Sequence, residues 1–264
     1  MSDRGSTPIL APTVWAGNPQ IIELVGQLGF QWLVVETEHS PYSSYESIES
    51  QFRAARAGGL STLASVPKAA EQDITKVCEA GAMGVIVAHT VERADAGRIV
   101  RAAKYPPLGR RGAALSVRQV GYDVDRSGWS ARADELNSQT LLIGKIEDPE
   151  ALENLDDILS AGIDGLFFGA FDMSHGIARS LADPGIRGRI DHPAVIEARD
   201  LVISRCSARG KFSGVVLRQL QAQERRPASE LITDFCERGT RLFTLPSELE
   251  LLRESYVSLR EELG

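Results

Sequence analysis

A chain of 264 residues with 43% hydrophobic and 25% charged residues has the mixture of a folded globular protein, which excludes disorder as its main state. The formal net charge of −7 and the lack of any Lys/Arg run argue against a nucleic-acid partner, and Arg225-Arg226 reads as a solvated helix or loop face. No apolar stretch approaches the roughly 20 residues that span a bilayer, residues 1–10 lack the apolar core of a secretory signal, and Cys78, Cys206 and Cys236 are odd in number and form no CxxC pair. The expectation is a cytoplasmic protein with reduced thiols and neither a nucleic-acid nor a membrane partner.

A first apolar run at 9–14 is followed by Asn18-Pro19, an N-cap with proline at the first helical position, and by a helix at 21–28. Strand 32–36 leads to a helix at 44–57, strand 62–66 to one at 72–79, and strand 85–88 to one at 93–103. The stretch 105–137 is rich in Gly and Arg and has no strong period. An insertion of that kind in a compact domain is functional or packs on a partner. After strand 141–146, Asp148-Pro149-Glu150 opens a helix running to about residue 160. Strands 165–168, 212–217 and 242–245, with helices at 193–208, 228–238 and 247–262, complete the series. Most of the strands are apolar on both faces, as in a buried parallel sheet. Helices end at glycines such as Gly81 and Gly239, which enter the left-handed region without steric cost. Eight strand–helix units with right-handed crossovers predict an α/β fold, a (β/α)₈ TIM barrel forming one domain over 1–264. A doubly wound open sheet is the runner-up, but Trp15-Ala16-Gly17-Asn18 after the first strand is no GxGxxG.

Catalytic groups of a barrel sit where strands end and loops begin. The strand ends here carry Glu36-Thr37-Glu38-His39, Ser65-Val66-Pro67-Lys68, His89-Thr90, Lys145 with Glu147-Asp148, Gly169-Ala170-Phe171-Asp172, Arg218, and Thr244 followed by Ser247-Glu248. Glu147 and Asp172 follow apolar runs on adjacent strands and are expected to point into the barrel mouth. Oxygen ligands of that kind suit Mg²⁺ or Mn²⁺; the alternative is that each caps the helix that follows. His39 is the acid–base candidate, with Glu36 and Glu38 beside it to raise its pKa, against a surface or capping role. His89 has a weaker claim, and His175 and His192 lie in loop-like sequence. Lys145 precedes Glu147 by two residues, so strand alternation turns both into the barrel. Its readings, in order, are a salt bridge to a carboxylate, binding of a substrate anion, and Schiff-base formation.

Several stretches together resemble the HpcH/HpaI aldolase/citrate lyase family, from about residue 10 to the C-terminus. Gly29-Phe30-Gln31-Trp32 followed by Glu36-Thr37-Glu38-His39 is similar to its GFDW…D-x-EH. Tyr105-Pro106-Pro107-Leu108-Gly109-Arg110-Arg111-Gly112 resembles its YPPxGxRG, the most specific of the motifs. Lys145-Ile146-Glu147 stands at its Q-I-E, Gly169 to Ser174 at its GPxDLS, and Asp191-His192-Pro193-Ala194-Val195 at its HP-x-V. The resemblance implies a divalent metal (Mg²⁺, Mn²⁺ or Co²⁺) on Glu147 and Asp172, His39 as acid–base residue, and backbone amides around Ala170 to Asp172 holding a substrate carboxylate. It also implies a homo-oligomer, a hexamer or dimer-based, in which C-terminal helices are exchanged. The segment 247–262 suits that exchange, or packs on its own barrel.

The candidate set is thus His39, Lys145 and Glu36 for catalysis, Glu147 and Asp172 for metal, and Gly169, Ala170, Phe171, Ser65, Glu38 and Arg118 for substrate, with Tyr122 beside Arg118 in the insertion. The departures from the family are Ser65 for an arginine at the end of strand three, Lys145 for glutamine, Glu36 for aspartate and Gly169-Ala170 for Gly-Pro. Lys145 is a candidate to supply the positive charge missing at Ser65, although lysine and arginine are not interchangeable at a bidentate site. The resemblance implies a metal-dependent carbon–carbon lyase or synthase using the enolate of pyruvate or a related 2-oxo acid, with an aldehyde or ketone acceptor. The alternatives are an oxaloacetate-type decarboxylase or condensing enzyme, and a non-catalytic barrel that binds a small acid or a partner.

Overall fold

The computed structural model describes residues 7–68, 71–123 and 128–264. The first six residues and 124–127 of the expected insertion lie outside the described residues. Eight strands, β1 (Ile9–Val14), β2 (Trp32–Glu36), β3 (Ser61–Val66), β4 (Gly84–Val87), β5 (Leu141–Ile146), β6 (Gly165–Phe168), β7 (Phe212–Val216) and β8 (Thr240–Ser247), pair in parallel in chain order. β8 returns to pair with β1, so the sheet is a closed (β/α)₈ barrel.

Alternation along the strands divides the apolar residues between two cores. Ala11, Val34, Leu63, Ile86, Ile143, Phe167 and Leu242 fill the barrel interior. Residues of opposite parity, such as Leu33, Val35, Ala64, Val85 and Leu142, pack outward against the helices. Burying each leucine, isoleucine or valine contributes about 1.5–3 kcal/mol. Two positions beyond the interior residues, the same parity brings Thr13, Glu36, Ser65, Lys145, Gly169 and Thr244 to the barrel mouth, where all six line one cavity. The fold therefore converts a two-residue sequence period into a ring of five polar side chains and one bare glycine above an apolar plug.

Helices α1 (Pro19–Gln27), α2 (Tyr45–Ala57), α3 (Glu71–Ala80) and α4 (Arg93–Ala103) lie where the periodicity predicts them. The Asn18 side chain accepts from the Gln20 amide at 2.9 Å and Pro19 opens α1. The helix expected from 149 begins as a 3₁₀ turn, Pro149–Asn154, and continues as α6 (Leu155–Leu159). Helices α8 (Pro193–Ala208), α10 (Ala228–Glu237) and α11 (Glu248–Leu263) complete the expected set.

Three further helices correct the sequence reading. α5 (Trp129–Gln139) lies inside the supposed aperiodic insertion, α7 (Ala170–Ser180) follows β6 at once, and α9 (Leu217–Glu224) begins where strand seven was expected to end. His175, expected in a loop, lies on α7. Ala133 and Leu136 of α5 pack on buried Tyr105, whose ring meets Trp129 edge-on at 5.2 Å and carries the Arg111 guanidinium at 4.8 Å. The Asn137 side chain accepts from the Tyr105 amide at 2.7 Å and donates back to its carbonyl. Tyr105 and Arg111 of the YPPLGRRG stretch thus anchor the chain between β4 and β5.

α11 opens with a capping box between Ser247 and Glu250. From Leu249 to the C-terminus every residue is exposed, including Leu251, Leu252, Tyr256, Leu259 and Leu263. No helix among the described residues is long and apolar enough to cross a membrane.

Candidate active site

The mouth of the barrel holds a cavity of ≈ 590 Å³, lined among others by Trp15, Glu36, His39, Ser65, Lys145, Gly169, Phe171 and Asp172. Beside it, Glu38, His89 and Glu147 each bring one ligand atom within 4.8 Å of the others. These residues come from the ends of β2, β4 and β5, which only closure of the barrel brings together.

Glu147 is the innermost group, with a side chain only 1% exposed. Its Oε1 accepts from the His89 amide at 2.9 Å, and its Oε2 lies 2.7 Å from the Lys145 Nζ. The Lys145 Nζ is also 3.6 Å from the Glu38 Oε2. Burial alone lowers the pKa of Lys145, but Glu147, Glu38 and Asp172 outweigh it and hold the ammonium above its ordinary value. Burial raises the carboxyl of Glu147, and Lys145 and the His89 amide only partly offset it. Of the three readings of Lys145, the carboxylate salt bridge is the one the geometry contains.

Gly169 makes room for this pair. A Cβ there would lie 2.9 Å from the Glu147 Oε2 and 3.3 Å from the Lys145 Cε. Real side chains do not tolerate the first distance, so the end of β6 passes close over the ion pair only because it carries no side chain.

His89 adopts φ +51°, a left-handed conformation rare for a residue with a side chain. That turn aims its amide at Glu147 and its ring at two more carboxylates. Nδ1 is 2.8 Å from the Asp148 Oδ2, and Nε2 is 4.0 Å from the Glu38 Oε1. Burial opposes the imidazolium, but Asp148, Glu147 and Glu38 together raise its pKa above that of an ordinary histidine. The sequence alone ranks His89 below His39 and gives Asp148 only the role of opening the next helix. Both stand at strand ends, and that position is the signal the sequence offers.

His39 sits at the rim with its side chain 60% exposed and its Nε2 3.8 Å from the Glu38 Oε2. Its ring stacks on Trp15 with centroids 6.1 Å apart and planes 14° apart. Trp15 is held in turn by α11, because its amide donates to the Glu248 Oε1 at 2.9 Å. Glu36 braces the same loop, its Oε1 accepting from the amides of Glu38 at 2.6 Å and His39 at 3.2 Å. It therefore acts on the backbone that carries His39.

Asp172 lies exposed in the first turn of α7, facing the cavity from its outer side. It stands outside the Glu38–His89–Glu147 cluster. No side chain caps α7, so the first-turn amides at Ala170, Phe171 and Asp172 have no intrahelical acceptor. Ser65, 6% exposed, lines the cavity floor together with Lys145.

Two expected site residues are not brought to this mouth within the chain. Arg118 packs against Gly81 and lines a separate cavity with Ser61, Thr62 and Met83, by the N-terminal ends of β3 and β4. Gly81 has φ +112° and no side chain, so the arginine stem lies against its backbone. Tyr122 is exposed and accepts from Arg53 on α2. Arg218, expected at the end of strand seven, sits on α9 and pairs with Glu250 and Glu254 of α11.

A family model described as HpcH/HpaI aldolase/citrate lyase matches residues 14–242. A hydroxypyruvate/pyruvate aldolase of Roseobacter denitrificans is 33% identical over 199 residues, covering 74% of this chain and 72% of that protein. A 5-keto-4-deoxy-D-glucarate aldolase of Escherichia coli O6:H1 is 26% identical over 245 residues, covering 92% and 88%. The crystal structure of an HpcH/HpaI aldolase from Desulfitobacterium hafniense shares the fold with a TM-score of 0.83 at 23% identity, over 98% of this chain and 93% of that one. With a match across most of its length and aldolases among its relatives, the chain is an enzyme of the aldolase/lyase class and belongs to the HpcH/HpaI aldolase/citrate lyase family.

Proposed function

We propose that the protein is a metal-dependent carbon–carbon lyase or synthase that works through the enolate of pyruvate or a related 2-oxo acid, with an aldehyde or ketone as acceptor. The observation that carries this reading is the carboxylate cluster at the barrel mouth, where, among the described residues, the buried Oε2 atoms of Glu38 and Glu147 have the Lys145 ammonium beside them and no well-directed hydrogen bond. Buried carboxylate oxygens in that condition fit a hard divalent cation. Glu147 and Asp172 are the proposed ligands, with Glu38 and His89 as the nearest further donors. The Nδ1 contact of His89 with Asp148 is the orienting arrangement common behind metal-binding histidines. A bound divalent cation supplies positive charge that withdraws electrons from the 2-oxo carbonyl and eases loss of the adjacent proton.

The chain's own residues do the rest. The free amides at the start of α7 bind the substrate carboxylate, as a helix N-terminus favours an anion. His39, at the open rim, takes and returns the proton. Trp15 fixes the plane of its ring and Glu36 fixes its backbone. Similarity to the hydroxypyruvate/pyruvate aldolases of Roseobacter denitrificans and Agrobacterium fabrum supports a small 2-oxo acid as substrate class.

The test is deuterium incorporation at the methyl group of pyruvate in D₂O, followed by NMR with Mg²⁺, Mn²⁺ or Co²⁺ and with a chelator. Metal-dependent exchange that disappears in Glu147→Ala is expected. Exchange that survives the chelator overturns the metal dependence, and its absence with every metal overturns the pyruvate reading.

We further propose a homo-oligomer built through α11, whose exposed leucines and Tyr256 form an apolar stripe of the kind that a partner copy covers. The free thiols Cys78, Cys206 and Cys236 suit a reducing cytoplasmic setting.

A further inference from the structure

We infer that Lys145 is a tethered cation that competes with the divalent metal for the carboxylates of Glu38 and Glu147, so that this chain binds its metal weakly and exchangeably. The inference rests on the metal reading proposed above and concerns what one residue of this chain does to it.

Three features place an ammonium where a cation is wanted. Strand parity carries Lys145 into the barrel beside Glu147, two positions above the buried interior residue Ile143. Its Nζ lies 2.7 Å from the Glu147 Oε2 and 3.6 Å from the Glu38 Oε2. These are the two carboxylate oxygens of the cluster without a well-directed hydrogen bond. The bare backbone of Gly169 leaves space for this arrangement.

A divalent cation entering the same cluster has two courses. If Lys145 stays, like charges meet at short range in a poorly solvated site, where repulsion is strong. If Lys145 swings out, the ion pair with a nearly buried Glu147 is lost. Either course subtracts from metal affinity, which a neutral side chain at the same position would not do. Lysine suits this role because its charge sits on a flexible stem that withdraws without moving the strand. In the absence of metal, the ammonium neutralises carboxylates that would otherwise repel one another.

The test is titration of the full chain with Mn²⁺, followed by electron paramagnetic resonance of the free ion, on the wild type, Lys145→Met, Lys145→Gln and Lys145→Arg. The neutral variants are expected to bind Mn²⁺ more tightly by about tenfold or more, while Lys145→Arg, which keeps the charge, stays weak. Lys145→Gln retains a polar head and serves if Lys145→Met does not fold, as judged by circular dichroism with chelator present. Equal or weaker Mn²⁺ binding in a folded neutral variant overturns the competition and leaves the metal reading intact. No Mn²⁺ binding by any variant overturns both, and identifies the metal reading as the cause. Tighter binding that Glu147→Gln does not abolish in the Lys145→Met background also overturns the inference, because the ion then lies elsewhere.

Discussion

Lys145→Met removes the one ammonium within 4 Å of Glu147 among the described residues, and its effect on stability can be worked out from the site. Glu147 has a side chain 1% exposed and, among the described residues, keeps only the His89 amide as a direct hydrogen-bond partner. Breaking a buried pair by removing one partner costs about 3–5 kcal/mol, because the remaining charge is uncompensated. Glu147 has an escape, which is to take a proton. Protonating a carboxyl of ordinary pKa ~4.3 at pH 7 costs about 3.7 kcal/mol, which sets an upper bound on the loss.

In the variant the folded-state pKa of Glu147, already raised by burial, rises further above its unfolded value. Below the wild type's own raised value Glu147 is protonated in both folded proteins, so the loss is smallest there and grows, by at most about 1.4 kcal/mol per pH unit, as pH rises from that value towards the variant's. The assay is urea unfolding of wild type and variant with a chelator between pH 5 and pH 8. A loss that is larger at pH 8 than at pH 5 is expected. An equal loss at both ends, or one under about 0.5 kcal/mol at pH 7, refutes the view that Lys145 holds the charge of Glu147.

Gly169→Ala brings a Cβ to 2.9 Å from the Glu147 Oε2, and the overpacking is expected to cost about 1–3 kcal/mol in urea unfolding and to impair pyruvate exchange. A stable and fully active variant would show that the ion pair yields easily. In an NMR titration the His89 ring is expected to titrate above an ordinary histidine, and Asp148→Asn to bring it down. A raised folded-state value means that its stabilisation is complete below the unfolded pKa and fades as pH rises through the folded one. Leu252→Asp with Tyr256→Asp on exposed α11 is expected to reduce the molecular mass seen by sedimentation, with secondary structure kept. An unchanged mass would remove α11 from the assembly interface.

The barrel was legible because most of its strands are buried on both faces and appear as short, largely apolar runs of fixed parity. Ile143 and Lys145 follow from that parity alone: the first plugs the barrel and the second rises into its mouth, where Glu147, one residue beyond β5, pairs with it. α7 was hidden for the opposite reason. Its buried positions Ala170, Met173 and Ile177 have helical spacing, but Gly176 and polar neighbours interrupt the pattern. α5 shows only three buried residues, and its stripe is recognisable once Tyr105 is known to be its partner.

The carboxylate cluster marks the limit of sequence reasoning. Glu38 lies beyond the end of β2 and His89 beyond the end of β4, where strand alternation no longer dictates direction. Glu38 turns towards Lys145 because Glu36 holds the amides of Glu38 and His39. His89 turns towards Asp148 and Glu38 because its backbone adopts a left-handed conformation, uncommon for a residue with a side chain and not announced by the surrounding sequence. That unusual backbone is compensated by three contacts, from the amide to Glu147 and from the ring to Asp148 and Glu38. Strain held by contacts to the same carboxylates that surround Lys145 ties His89 to the chemistry of the mouth rather than to the packing of the barrel.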